Sequence, residues 1–334
     1  MKIVVRAPNW IGDSILALPT LAILHEKYPE AEIWICGLDW IKDIFLPLNY
    51  VEGVIPLKSP SLLRSPLQNA KTLKKKQFDV GVLLTNSFSS ALLFFLAKIP
   101  QRWGYDRDFR RLLLTKRIKI NDSSLSLHQV MYYINLLSSL GLPASPPSLA
   151  FSLNPAIRQQ ANDFLVSMGI TFQRPIVVIN PGAFYGATKR WPEPRFAELA
   201  SILQEKIHAD ILIVGSADEL VLAQRIASMM KEPPFILTGK TTVAQLAGIL
   251  SHARLFVSND SGPMHMANSL GVPVVAIFGP TNPNLTGPFQ PPSAVVKKDI
   301  DCWPCRNRKC PTDHRCMESI SAADVYQACE RFLP

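Results

Sequence analysis

The stretch Ser258-Asn259-Asp260-Ser261-Gly262-Pro263-Met264-His265 puts a carboxylate, two hydroxyls and an imidazole where an apolar run, Leu255-Phe256-Val257, gives way to a helix-like segment from Pro263 to Ser269. A strand, a tight turn and a helix start together leave free backbone N–H groups and the positive end of the helix dipole pointing into the turn, which suits an anion. Pro263 fits a first helical turn, where its missing N–H costs nothing. Asp260 and His265 add groups able to hold hydroxyls and phosphate oxygens, beside Ser261 and Gly262. The alternative is an ordinary βα turn with a capping Asp.

A second turn of this kind lies near the N-terminus. Lys2–Arg6 reads as a short buried strand, Ala7-Pro8-Asn9-Trp10-Ile11-Gly12-Asp13 as a loop, and Ser14–Lys27 as a helix. Gly12 permits an unusual φ or a close approach to a ligand. Asp13 is then either a helix cap or a carboxylate free to accept a proton from a substrate hydroxyl.

Two further strand ends carry polar groups. In Asn180–Pro192, Gly182 and Gly186 make the loop pliable, and Lys189 and Arg190 bring positive charge. A phosphate held between this loop and Ser261–Pro263 would be neutralised without a metal; otherwise the basic pair is a solvated surface feature. After Gly215, Asp218 or Glu219 could hold ribose hydroxyls, or simply complement a helix N-terminus. No G-x-G-x-x-G follows the first strand and no G-x-x-x-x-G-K-[ST] occurs, which disfavours a dinucleotide dehydrogenase or a P-loop kinase. Cys302, Cys305, Cys310 and Cys316 form C-x2-C-x4-C-x5-C with His314 inside. The spacing suits a structural zinc site, or a loop packed through its apolar residues.

These turns need a scaffold, and the apolar pattern supplies one. Strand-like runs at Glu32–Cys36 and Asp79–Leu84 alternate with helical patterns at Ser89–Ala97 and His128–Leu140. The proline-rich Gly141–Ser148 reads as a linker. Strands at Pro175–Asn180, Ile211–Gly215, Phe235–Leu237, Leu255–Val257 and Val274–Phe278 follow, separated by helices at 194–206, 218–230, 243–250 and 263–270. Such alternation predicts an α/β protein with parallel sheets and helices on both faces, ligands lying at the carboxyl ends of the strands. Two domains are expected, 1–150 and 151–334, with the last helix free to pack back on the first domain. Face to face, they would set Asp13 and Asp260 on opposite walls of one cleft.

The chain's 334 residues suit two domains, and 48% hydrophobic with 18% charged residues excludes wholesale disorder. The richest apolar run, Ala91–Ala97, stops at Lys98, far short of a membrane span, and Asp13 interrupts any signal-peptide core. A cytoplasmic protein is therefore expected. A net charge of +9 points to an anionic partner. The clusters at Lys71, Lys74, Lys75 and Lys76, and from Arg102 through Arg107, Arg110, Arg111, Lys116, Arg117 and Lys119, flank Ala91–Ala97. They form either a solvated face or a surface for anionic lipid headgroups; no nucleic-acid signature accompanies them.

Together the motifs resemble the ADP-heptose:lipopolysaccharide heptosyltransferases of glycosyltransferase family 9, most closely the heptosyltransferase II type. The carrying residues are Arg6–Asp13, Pro181-Gly182-Ala183 with Thr188–Pro192, Ser258–His265, and Gly271-Val272-Pro273 through Phe278–Thr281. The resemblance implies a GT-B fold of two Rossmann-like domains, acceptor in the first and sugar nucleotide mainly in the second. It implies ADP-L-glycero-β-D-manno-heptose as donor, an inner-core lipopolysaccharide precursor as acceptor, inversion at the anomeric carbon, no required cofactor, and work at the cytoplasmic face of the inner membrane. Asp13 matches the general base and Lys189 the lysine facing the departing diphosphate. Asp260, Ser261, Gly262, His265 and Gly182 match the donor turn, and Glu219, more loosely, a ribose-binding glutamate. Asn9, Gly12, Arg107 and Arg110 fall on the acceptor side. Other readings are a GT-B enzyme using a UDP- or GDP-activated hexose or a Kdo-terminated acceptor, and a non-catalytic binding protein, for which a base at Asp13 would have no use.

Overall fold

The computed structural model describes residues 1–58, 65–120, 125–142, 148–305 and 307–333; most of the expected linker, 143–147, lies outside the described residues. The chain divides into two compact units, Met1–Ser152 and Leu153–Pro334. Each is a helix-flanked parallel sheet. The first sheet uses β1 (Lys2–Arg6), β2 (Glu32–Gly37), β3 (Val51–Pro56), β4 (Val80–Leu83), β5 (Gln101–Tyr105) and β6 (Lys116–Ile118), in the order β3-β2-β1-β4-β5-β6. The second uses β7 (Ile176–Asn180), β8 (Asp210–Ile213), β9 (Phe235–Ile236), β10 (Leu255–Asn259), β11 (Val274–Ile277) and β12 (Ser293–Val296), in the order β12-β11-β10-β7-β8-β9. Every pairing in both is parallel.

Counted from the first strand of each unit, the two orders are the same doubly wound pattern. It reverses direction between β1 and β4 in one sheet and between β7 and β10 in the other. At such a reversal the flanking loops part and leave a crevice at the carboxyl ends. The register sets Arg6 beside Leu83 and Asn180 beside Ser258, so the turns after these strands open on the two crevices. Buried strands such as Ile176–Asn180 and Leu255–Asn259 are covered on both faces, which explains the apolar runs Ile176–Ile179 and Leu255–Val257 that open them.

Three local details refine this picture. The segment 11–27 is two helices, Ile11–Leu16 and Leu18–Lys27, because Pro19 cannot donate into a continuous ladder. The first begins at Ile11, so Gly12 and Asp13 belong to its opening turn rather than to a loop. Part of the basic stretch after Lys98 is sheet: β5 and β6 carry Arg102, Lys116 and Arg117. The last helix, Ala322–Glu330, packs on helix Glu193–Ile207 and on β11 and β12, and Val325, Ala328 and Cys329 belong to the second unit's core.

Candidate active site

In the first unit, Trp10 occupies the N-cap position of the Ile11–Leu16 helix and makes no side-chain capping bond; Asp13 stands one turn in and half-buried. Its carboxylate lies against the Tyr133 hydroxyl. Burial holds the Tyr133 pKa well above its usual value, and the charge of Asp13 reinforces that. Tyr133 comes from helix Gln129–Ser138, and nothing in the sequence marked it. The loop before Asp13 is braced from below. The buried Arg6 guanidinium donates to the Ala7 carbonyl and, at 2.7 Å, to Asn9 Oδ1. Asn9 is thus exposed but oriented, while Gly12 is buried in the helix.

Arg107 and Arg110, three residues apart, part company in the structure. Arg107 is exposed. Arg110 is fully buried, donating to the carbonyls of Tyr105 (2.8 Å) and Thr85 and to Asn86 Oδ1 (3.2 Å). Burial pushes its pKa down to about 10, so it stays charged at neutral pH. Its place on the acceptor side is therefore corrected: it ties a loop to the ends of β4 and β5, and its donors are spent on the fold.

In the second unit, Lys189 and Asp260, 71 residues apart, meet across the β7–β10 reversal. Lys189 Nζ donates to Asp260 Oδ2 at 2.5 Å, and Thr281 Oγ1 donates to the same oxygen at 2.7 Å. Both members of the ion pair are nearly buried. Asn259 ties the walls together: its amide donates to the Pro181 carbonyl at 2.8 Å and its oxygen accepts from the Trp191 N–H at 3.0 Å. Lys189 also sits 4.9 Å over the Tyr185 ring, with Arg308 on the same ring at 5.0 Å.

The helix Gly262–Ser269 starts beside this pair, with Ser261 as its N-cap. Asp260 is therefore not the cap. Among the described residues the buried Ser261 hydroxyl oxygen has no hydrogen-bond partner, and it lies at the point where the helix presents its free N–H groups. His265 is buried in the first turns of the same helix. A group bringing acceptor oxygens would satisfy the orphaned hydroxyl. Ser261→Ala is expected to raise the donor KM a few-fold while leaving Tm unchanged or slightly higher, because deleting an unsatisfied buried hydroxyl costs the free protein nothing. Steady-state kinetics beside a melting curve would check this.

Glu219 reaches the same strand ends. Its carboxylate accepts from the Ser216 N–H at 2.8 Å in a capping box, and a Cβ on Gly182 would fall 1.9 Å from Glu219 Oε1. Only glycine at 182 lets that carboxylate lie over the β7 turn. Asp218, the other acidic residue there, is exposed.

Cys302, Cys305, Cys310 and Cys316 line one small cavity of about 50 Å³ together with Thr188 and His314. Burial, then the neighbouring cysteines 305, 310 and 302, push the Cys316 thiol up to about 11. Among the described residues, however, no three His, Cys, Asp or Glu side chains are placed to hold a metal ion. The same holds for two D-x-D triplets, Asp106–Asp108 and Asp299–Asp301. Hydrogen bonds brace the cysteine segment. His314 Nε2 donates to the Thr188 carbonyl (2.7 Å), Thr188 Oγ1 to that of Asn307 (2.7 Å), and Trp303 Nε1 to that of Thr281 (3.1 Å). The segment thereby props the neighbour of Lys189 and the threonine that bonds Asp260.

The family model for glycosyltransferase family 9 (heptosyltransferase) matches residues 67–315, more than half of the chain. The chain belongs to this family. A lipooligosaccharide heptosyltransferase 2 of Haemophilus ducreyi is 31% identical over 314 residues, covering 89% of this chain and 88% of the relative. The solved ADP-heptose lipopolysaccharide heptosyltransferase II of Escherichia coli is similar along 99% of this chain and 98% of its own, with TM-score 0.87 and 25% identity. A family 9 glycosyltransferase from Veillonella parvula matches equally, with TM-score 0.87 and 26% identity over 99% of this chain and 96% of its own. The family 9 heptosyltransferase thus has the GT-B type of architecture, two parallel six-stranded α/β sheets. Among the described residues no helix is long and apolar enough to cross a membrane.

Proposed function

We propose that this heptosyltransferase moves L-glycero-D-manno-heptose, with inversion, from ADP-heptose to the heptosyl-Kdo-lipid A inner core of lipopolysaccharide. The observation that carries the donor half is the buried Lys189–Asp260 pair beside the orphaned Ser261 hydroxyl, at the sheet reversal of the second unit. Lys189, the free N–H groups of the Gly262–Ser269 helix and Ser261 supply positive charge and donors for a diphosphate as its bond to the anomeric carbon breaks. Asp260 holds Lys189 in position and offers its second oxygen to a sugar hydroxyl. Glu219, at the same strand ends, faces the ribose.

Asp13, at the β1–β4 reversal of the first unit, accepts the proton of the attacking acceptor hydroxyl. One base and direct displacement give inversion, and the negative charge passes to a leaving group already surrounded by donors. The name shared by the relatives, heptosyltransferase 2, favours an acceptor that already carries one heptose. The exposed cations of the first unit fit work at an anionic membrane face, on the cytoplasmic side.

The test is an ADP-release assay with purified protein, ADP-heptose and heptosyl-Kdo2-lipid A, beside UDP- and GDP-sugar controls and a Kdo2-lipid A acceptor. Acceptor-dependent release of ADP alone is expected. Turnover only with another nucleotide sugar would overturn the donor, and preference for Kdo2-lipid A would overturn the acceptor.

A further inference from the structure

The loop between β5 and β6 presents two large apolar side chains to solvent: Phe109 is 99% exposed and Leu112 90%. Between them Arg110 is wholly buried and bonded to Tyr105, Thr85 and Asn86. Asp108 and Phe109 both hold positive φ, 52° and 59°, a conformation that side-chain-bearing residues rarely adopt in succession. The strain is borne because the Arg110 anchor fixes the backbone on either side. The apolar pair is therefore displayed on a rigid base. A floppy loop would bury these groups on its own surface or average them away.

Charge surrounds the pair. Lys98, Arg107, Arg111, Lys116, Arg117 and Lys119 are exposed, and Arg102 lies 5.5 Å from the ring of the exposed Phe95, on the helix Phe88–Leu96 that contacts the loop. Only Asp106 and Asp108 oppose them between residues 98 and 119. An apolar tip in a basic field matches an anionic bilayer, whose headgroups take the charge and whose acyl boundary takes the rings. Location agrees: Arg110 roots the loop at Thr85 and Asn86, just past β4, the same edge of the sheet at which Asp13 follows β1.

We propose that Phe109 and Leu112 insert into the anionic phospholipid surface and dock the first unit there, with its acceptor-activating edge toward the lipid. This rests on the acceptor reading given above and adds the element that makes the contact. Pre-set geometry keeps the ordering cost of insertion low, since the chain gives up little freedom that Arg110 has not already removed.

The experiment is flotation of the full chain with phosphatidylglycerol/phosphatidylethanolamine vesicles and with phosphatidylcholine vesicles. The double variant Phe109→Asn/Leu112→Ser serves as the test protein. Asn tolerates the positive φ, and both side chains are solvent-exposed, so the variant keeps its melting curve. The native chain should float with the anionic vesicles only, less so at high salt, and the double variant should bind at least tenfold more weakly. Phe109→Trp should retain binding. Turnover on a water-soluble, deacylated acceptor should be equal in all three proteins. Equal flotation of native chain and double variant would overturn the proposal, as would native protein that ignores anionic vesicles. A double variant that changes only the oligomeric state would assign the patch to a second copy of the chain. Loss of soluble-acceptor turnover by every protein would count against the transferase reading and leave the flotation result standing.

Discussion

Replacing Asp13 by asparagine is expected to lower kcat by roughly 10²–10⁴-fold, the range that a positioned general base contributes, with little change in the donor KM. Asparagine keeps the size and the hydrogen-bonding reach of the side chain but cannot take a proton. The groups proposed to hold the donor belong to the second unit, so uniform binding should survive and the loss should fall on the chemical step. Tyr133→Phe is expected to cost less, about tenfold in kcat, because it removes only the hydroxyl lying against the carboxylate. If Asp13→Asn kept turnover near the native rate in the ADP-release assay, the base would have to be sought elsewhere. A large rise in KM with unchanged kcat would make Asp13 a binding group.

What could be read from the chain alone follows a physical line. The strands Ile176–Asn180 and Leu255–Asn259 were legible from their apolar runs Ile176–Ile179 and Leu255–Val257, because a parallel strand covered on both faces is built mainly of apolar residues. The strands Gln101–Tyr105 and Lys116–Ile118 were not. One begins with two polar residues, and the other is an edge strand with exposed Lys116 and Arg117. Edge strands favour such charge because it discourages pairing with another chain. Val51–Pro56 and Ser293–Val296, also at sheet edges, hid for a related reason: neither is buried along its length.

The site divides in the same way. Turn chemistry is local, so Asp13, Gly182, Asp260 and Ser261 could be marked from neighbours a few residues away. Partnership is not local. Tyr133 reaches Asp13 across 120 residues of sequence, and Asn259 reaches Trp191 across 68. Arg110 shows the limit most plainly. Within a run of cations it reads as one more solvated charge, and only the fold shows that carbonyls and an amide surround it. The cysteine spacing drew attention to metal, whereas the bonds from His314 and Trp303 give the segment a mechanical role beside Lys189 that no spacing rule encodes.

Lys189→Met is expected to lower kcat by about 10²–10³-fold, comparable with removing one preorganised donor that faces developing negative charge. The same change should also destabilise the second unit, because among the described residues Asp260 would be left as a buried carboxylate with the Thr281 hydroxyl as its one side-chain donor. Breaking a buried pair on one side costs roughly 3–5 kcal/mol, so a fall in activity alone could reflect unfolding. The double variant Lys189→Met/Asp260→Asn separates the two effects. Removing both charges takes away the uncompensated carboxylate, and thermal stability should return most of the way to native. Activity should not return, since the charge proposed to face the diphosphate is still missing. Recovery of both would mean that Lys189 serves the fold by neutralising Asp260 and that the leaving group is held by the helix start at Ser261. Recovery of neither would place the loss in packing of the Ala187–Arg190 turn against the cysteine segment, where Thr188 is bonded to both Asn307 and His314.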